Sequence, residues 1–459
     1  MTRAMSTPLI PLREGFDGAR HPGRILWDVI QEHLDEAAFF WRQRERGLAS
    51  WEDSLEDVAE GDEARLFAHV EGLVIGGMPV ATRLLLPALE GEDAGLVGPV
   101  ALALLGSRGE APLALLLRGL TEGPEEVRPE IRRALGLSDR SGLDAVLLSQ
   151  VERVGPDAQT ALLEVLAARQ ADPGRVLPRS LGADSIPALW VASLHSARFA
   201  ARPVAEELAR QGLEHGDASV RCAALETGLI LGLRGPWRAC RRLAGAAGEE
   251  GRLARVALAL GGEPADVKQL IQALDAPRLR ADAVWALGFS GRKVAAEALM
   301  DVLLQDKGLR LAAESLATLT GLDVAEHLLA EEEDGEAPPA DPGSEGTGEQ
   351  EGAWRVPAAA GRVQVASVAA WWRKAKERFD ERGRFVRGAA WTPSAVLSEL
   401  ARAPTYLRPV WALDLAVRSR GAFQVATTAR ASHQLRQLQA VTAPRLDPIP
   451  RGFDSLMTA

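Results

Sequence analysis

A chain of 459 residues has room for two or three ordinary domains or for one long array of repeats. Alanine and leucine dominate and tyrosine occurs once, at Tyr406, a composition that argues against a sheet-based fold and for close-packed helices. The formal charge of −10 splits into −11 over residues 1–330, −9 over 331–351 and +10 over 352–459, so an acidic array is joined to a basic end through an acidic tether.

The first twenty residues read as an extended, proline-punctuated lead without the apolar core of a signal peptide. No apolar run in the chain approaches the roughly 18 residues that a membrane span needs. A cytoplasmic protein with no membrane insertion is therefore expected. From Pro22 a helix is predicted, with Leu26, Val29, Ile30, His33, Ala37, Phe40 and Trp41 on one face and HLDEAAFFW as its dense part. A second helical region, 50–76, carries Leu55, Val58, Leu66, His69, Val70 and Leu73. Together, over 1–78, these elements read as an N-terminal cap, since the end of a repeat array needs something to cover its last apolar face.

Repeats are expected over 79–330. The segments ALLG and RALG end at Gly106 and Gly136, 30 residues apart, and two turns of the pattern are clearest over 264–321. There Val267, Leu270, Ile271 and Leu274 mark one amphipathic helix, opened by Pro264, and the alanine-rich helix after it stops at Gly288. The pattern then recurs, with Arg280 and Arg310, Ala283 and Ala313, and Gly291 and Gly321 each 30 residues apart. An acidic residue followed by an apolar-arginine pair precedes the second helix of several units, ending at Arg128, Arg221, Arg280 and Arg310, which are 93, 59 and 30 residues apart. In these turns Asp217, Asp275 and Asp306 are expected to cap the following helix, while each arginine bridges to the acidic turn of the next unit. Helical hairpins of this kind cannot bury their own apolar side and must stack, which makes the predicted fold all-α, an α-α solenoid.

The tether, 331–352, has no periodicity and no basic residue, and reads as disordered. Beyond it, over 353–443, nine Trp, Phe and Tyr residues are interleaved with arginine and lysine. Helices are predicted over 365–380, 394–403, 408–419 and 428–442, with a short strand or turn at RGRFVRG, so this reads as a small, mainly helical module. Residues 444–459 read as an open tail.

The repeats are similar to HEAT-like repeats of the short bacterial type also found in phycobilisome-linker lyases. The resemblance covers about 80–330 and implies a binding scaffold with a concave recognition face. The wider layout resembles an uncharacterised family of bacterial HEAT-like repeat proteins encoded near type VI secretion genes. The matching stretches are HLDEAAFFW, ARLFAHVEGLVIGG, the terminal repeat ending in LTGLDV, WW followed by RF and GRFVRG, and ARASHQL near Arg430. In GRFVRG the family's aromatic-leucine pair after the arginine is replaced by Phe385 and Val386.

Motifs of chemistry are missing. There is no GxxxxGK[ST], GxGxxG, HExxH or GxSxG; GLSDR at Gly136 reads as a helix end followed by a turn. The seven histidines are dispersed, and no His-Glu dipeptide of the sort that iron-binding HEAT-like hydroxylases require occurs. Cys222 and Cys240 read as small buried hydrophobes. The expectation is thus a non-enzymatic scaffold or adaptor with no cofactor and no metal. Its partner would be a protein, a type VI secretion component or effector if the resemblance holds. The alternatives are an enzyme-associated HEAT-like lyase subunit and nucleic-acid binding through the basic module. Nucleic acid is disfavoured because the array beside that module is acidic, whereas HEAT-like DNA glycosylases need a basic concave face. The residues expected to contact the partner are Trp371, Trp372, Arg373, Phe385, Arg387, Trp411, Arg430 and Gln434.

Overall fold

The computed structural model describes residues 25–91, 93–107, 109–177, 181, 185–329, 354, 356–357, 359–441 and 451–458. The expected lead over the first twenty residues and the tether over 331–352 lie outside the described residues. Contacts divide the chain into two compact units. One holds the described residues up to Ala201 with Ala401–Tyr406 and Ala426–Ala440; the other holds Arg202–Leu400, Leu407–Val425 and the described residues beyond. The segment 353–443, expected as one module, is therefore shared between them.

In the first unit α1 (Trp27–Gly47) buries Leu34, Ala37, Ala38 and Trp41, a single stripe at i, i+3, i+4 and i+7. The helical region expected over 50–76 turns a corner at Gly61, whose φ of −93° and ψ of −102° break it into α2 (Leu55–Glu60) and α3 (Asp62–Ile75). Ser54 and Asp57 close a capping box at the start of α2. After α3 come α4 (Gly77–Val80), a π-helical turn over Ala81–Leu85 and α5 (Leu86–Leu89). Then α6 (Ala94–Gly106) is buried nearly all round, packed on α1 and α3. Four more helices follow, α7 (Glu110–Glu122), α8 (Arg128–Leu137), α9 (Leu143–Val151) and α10 (Pro156–Ala168), and α11 (Pro187–Ala197) ends the run. Stacking proceeds from α6 to α8, α8 to α10 and α10 to α11. The Trp41 indole joins the cap to these repeats by donating to Glu130 Oε2 at 2.7 Å. Among the described residues no single helix is long and apolar enough to cross a membrane. A bent pair, Leu55–Ile75 with Gly77–Leu89, has the length and composition, but it turns through 104° and buries Leu66, Leu73, Val80 and Leu85 in the core of the unit.

The second unit contains the hairpins α12 (Arg202–Leu213) with α13 (Ala218–Ile230), α14 (Arg234–Leu243) with α15 (Glu249–Gly261), α16 (Pro264–Ala273) with α17 (Arg280–Gly288), and α18 (Lys293–Gln305) with α19 (Arg310–Thr320). The second helices stack α13 on α15, α15 on α17 and α17 on α19. Arginines cross from one hairpin to the next: Arg221 to Glu250 at 2.7 Å, Arg255 to Asp282 at 2.5 Å and Arg280 to Asp306 at 3.1 Å. Arg310 instead reaches Glu314 of its own helix, and Arg128 of the first unit donates to Gly123 O. Capping is less general than expected. Asp217 caps α13 by accepting from Ser219 N, whereas the N-cap positions of α17 and α19 are Leu279 and Leu309, with no side-chain cap. The longer turns after Asp275 and Asp306 hold those carboxylates away from the first free N–H groups.

The basic end supplies a second layer within this unit: α20 (Val365–Ala375), the antiparallel hairpin β1 (Phe385–Val386) and β2 (Ala389–Ala390), α21 (Pro393–Arg402) as far as Leu400, and α22 (Arg408–Arg418). The helix expected over 365–380 ends at Ala375 and continues as a 3-10 turn, Lys376–Arg378, which folds Phe379 under Trp372 and Phe385.

This layer rests on a row of glycines at the repeat turns. A Cβ built on Gly261 would lie 1.9 Å from the Phe453 ring, one on Gly291 2.5 Å from Phe385 O, and one on Gly321 2.5 Å from Arg387 O. Gly291 and Gly321 also adopt positive φ, 66° and 74°, which other residues rarely take. The open tail expected over 444–459 is corrected for its described part. Phe453 is fully buried beside Trp237, with ring centroids 5.6 Å apart, and Thr458 N donates to Gly232 O at 2.8 Å. What seats Phe453 is a hole left by a missing side chain 192 residues upstream, which the tail's own prolines do not announce. Basic side chains hold the layer through main-chain carbonyls: Arg418 bonds Leu260 O, Arg384 bonds Ser290 O, and Arg362 bonds Asp306 O and Lys307 O. Carbonyls at helix ends carry partial negative charge and are otherwise unpaired, so guanidinium groups suit them.

Candidate functional site

In the first unit a further helix, α23 (Ala431–Ala440), shorter than the expected 428–442, is held against α2 by one buried carboxylate. Glu63, 1% exposed, accepts from Ala431 N at 2.6 Å and from Ser432 N at 2.9 Å, so it sits at the positive end of the helix. Its charge is also paired with Arg44 Nε at 3.0 Å, and Arg44 Nη2 donates to Thr428 O and Ala429 O. Every charged group in this knot is satisfied, as burial demands. The Gln434 amide shapes the approach to the helix by donating to Thr427 O and Ala429 O.

Docked this way, α23 forms one wall of a groove of about 1130 Å³. The floor is apolar, made by Phe67, Val70 and Val74 of α3 with Leu102 and Leu105 of α6. Arg140, Arg430 and Arg436 stand along the groove with Asp139. The Arg430 guanidinium lies 3.6 Å from the Phe67 ring centroid and bonds Asp139 Oδ2 at 2.5 Å. Arg140 spends its hydrogen bonds on Ser107 O and Gly109 O, both main-chain carbonyls. A smaller cavity of about 210 Å³ shares Ser138, Asp139 and Arg430 with the groove and adds His433 and Gln434. His433 Nε2 is 3.3 Å from Asp139 Oδ2, yet burial holds the imidazole below its usual pKa, with the neighbouring Arg430 and Arg436 adding to the effect against the pull of Asp139.

Of the residues expected to contact a partner, Arg430 lines this groove and Gln434 lies buried beside it. The other six belong to the second unit. There Trp372 and Trp411 are buried against Phe379 and Phe289, and Trp371 is half-buried beside Arg378. Phe385 packs edge-on to Phe379, Arg387 pairs with Glu399 at 3.1 Å, and Arg373 is exposed. Residues the sequence did not single out are Arg44, Glu63, Phe67, Asp139 and Arg140. A signal was available for α3: Ala64 and Ala68 are exposed where a solvated helix face carries charge, and they flank Phe67. No local pattern links Arg430 to Asp139, 291 residues apart.

Cys222 and Cys240 are buried, and burial raises both thiols, Cys240 to about 12. Among the described residues no three His, Cys, Asp or Glu side chains are grouped so as to hold a metal ion.

No family model matches the chain, and no curated protein matches it. A solved structure, human deoxyhypusine hydroxylase in complex with glycerol, is similar over 63% of this chain and 95% of that one, with 18% sequence identity and a TM-score of 0.18. The chain is all-α and built from stacked helical hairpins; at this identity and TM-score no residue assignment passes between the two proteins. The expectation of a non-enzymatic chain is corrected: the protein in that structure is by its name a hydroxylase, and a helical fold by itself does not set catalysis aside.

Proposed function

We propose that this chain is a protein-binding helical-repeat scaffold and that its docking surface is the groove between α3, α6 and α23. The observation that carries this reading is the Arg430 guanidinium fixed 3.6 Å above the Phe67 ring and anchored by Asp139. Arginine and aromatic side chains held rigid in a partly desolvated cleft are the usual anchors of protein interfaces, since little rotamer freedom remains to be lost on binding. In the second unit, by contrast, the row of repeat turns is already covered by the chain's own basic end. The finer reading is that the partner is a type VI secretion component or effector, met in the cytoplasm. Its support is the resemblance in motif order; two of those stretches, ARLFAHVEGLVIGG and ARASHQL, supply Phe67, Arg430 and Ser432, which line this one groove.

The test is binding of the full chain to purified proteins encoded in the same secretion cluster, with Phe67→Ala and Arg430→Ala alongside. Truncating a central anchor should weaken the complex about thirtyfold or more. Equal affinity for both variants and the parent chain would contradict the reading.

A further inference from the structure

We propose that the groove takes an amphipathic α-helix with an acidic flank, an inference that rests on the protein-binding reading and names the chemistry of its partner. Two observations decide the shape and the charge of the occupant. The shape comes from α3. Its open face carries Ala64, Ala68 and Glu71, at i, i+4 and i+7, and the same stripe ends at Ile75, an apolar side chain 67% exposed. Two alanines one turn apart leave a shallow trough along the helix surface, so another helix can approach closely with its ridge set between them. Phe67 beside the trough and Ile75 at its end give apolar contacts at helical spacing, the pattern by which amphipathic helices seat in grooves.

The charge comes from the accounting of ion pairs around the same trough. Glu63 is consumed by Arg44 and the first N–H groups of α23, and Asp139 by Arg430. The two hydrogen bonds of Arg140 end on carbonyls, which do not neutralise it, and Arg436 is exposed on the same wall. The wall formed by Arg140 and Arg436 is therefore positive in a chain whose formal charge is −10, and Glu71 faces it from α3. A helix lying in the trough meets those arginines along one flank, where Asp or Glu satisfies them; a helix with a basic flank is repelled.

The experiment uses the full chain and two synthetic peptides of about 18 residues, long enough to hold a helix when bound. Both carry leucine at i, i+3, i+4 and i+7, with glutamate on the flank of one and lysine on the flank of the other. Fluorescence anisotropy should show the acidic peptide binding at least about tenfold more tightly at low salt, with the preference shrinking as salt rises. Arg436→Glu, a change at an exposed position, should weaken the acidic peptide about fivefold and strengthen the basic one. Ala68→Trp, also at an exposed position, should abolish binding of both by filling the trough while leaving circular dichroism unchanged. Equal affinity for the two peptides, binding that survives Ala68→Trp, or a single-stranded oligonucleotide that outcompetes the acidic peptide each overturns the inference. If Phe67→Ala and Arg430→Ala still release the cluster-encoded partner while the peptides show no charge preference, the protein-binding reading stands and the acidic-helix inference alone has failed.

Discussion

The carboxylate of Glu63 caps a helix that begins 368 residues later, accepting from Ala431 N at 2.6 Å while it is paired with the buried guanidinium of Arg44. Through this contact the chain's late segment becomes a wall of the groove in the first unit. Removing the carboxylate would leave the buried Arg44 with the part-exposed Glu45 as its remaining ion-pair partner, and the Ala431 and Ser432 N–H groups without their acceptor. Glu63→Ala should destabilise the first unit by about 3 to 5 kcal/mol. Urea unfolding followed by the signals of Trp41 and Trp51 should show a lowered midpoint, and limited trypsin digestion should open the chain at Arg430. An unchanged midpoint contradicts the assigned contact.

Phe453 and Gly261 form a similar long-range pair in the second unit, and their test is non-additivity. Phe453→Ala empties a fully buried site and should cost about 3 to 5 kcal/mol. Gly261→Ala puts a Cβ where the ring now sits and should displace the segment 451–458 as well. The double variant should then be scarcely worse than either single one, because both remove the same contact. Additive losses in thermal unfolding contradict the pairing.

The arginine ladder of the second unit separates interactions that look alike in sequence. Arg280 and Asp306 are both about a third exposed, at 29% and 34%, so Arg280→Ala should change stability by less than about 1 kcal/mol. Arg255 is fully buried, and Asp282→Ala strips it of its carboxylate; that substitution should cost about 3 kcal/mol or more. Burial pulls the Arg255 guanidinium below its ordinary pKa against the opposing effect of Asp282, which is the same imbalance seen electrostatically. Comparison of the two midpoints in guanidinium-free chemical unfolding checks the order, and equal losses contradict it.

Acidification acts on the groove through His433. Its pKa is held below the ordinary imidazole value of about 6.5, chiefly by burial, so the folded state prefers the neutral ring and the unfolded chain binds the proton more readily. The associated stability is fully present above about pH 6.5 and is lost as the pH falls through the depressed folded value. Hydrogen exchange of α23 amides should therefore quicken on going from pH 7 to pH 5, after correction for intrinsic rates, and His433→Gln should remove the extra dependence. A profile unaltered by that substitution contradicts the assignment.

Much of the fold was legible because it is written locally. The 30-residue spacing of Arg280 and Arg310, the apolar face of Val267 and Leu270, and the stops at Gly288 and Gly321 are features of single turns and helices, and hairpins with those faces must stack. The caps were only half legible: Asp217 is adjacent to its helix, whereas Asp275 and Asp306 are separated from theirs by turns whose geometry the residue order does not fix. The site was legible at Arg430 but not at its partners. Phe67, Asp139 and Glu63 owe their positions to the docking of α23, a contact between sequence segments hundreds of residues apart, and such contacts leave no periodicity to read. The repeat glycines show the same limit. Their spacing was visible as punctuation, but the close approach of Phe453, Phe385 and Arg387 that makes glycine necessary was not.

Hydrogen–deuterium exchange of the full chain, with and without a bound partner or the acidic helical peptide, tests the groove most directly. Protection should appear over 62–75, 102–107, 138–141 and 430–436, the stretches that line it. Protection confined to α14, α16 and α18, with these four stretches unchanged, would contradict it.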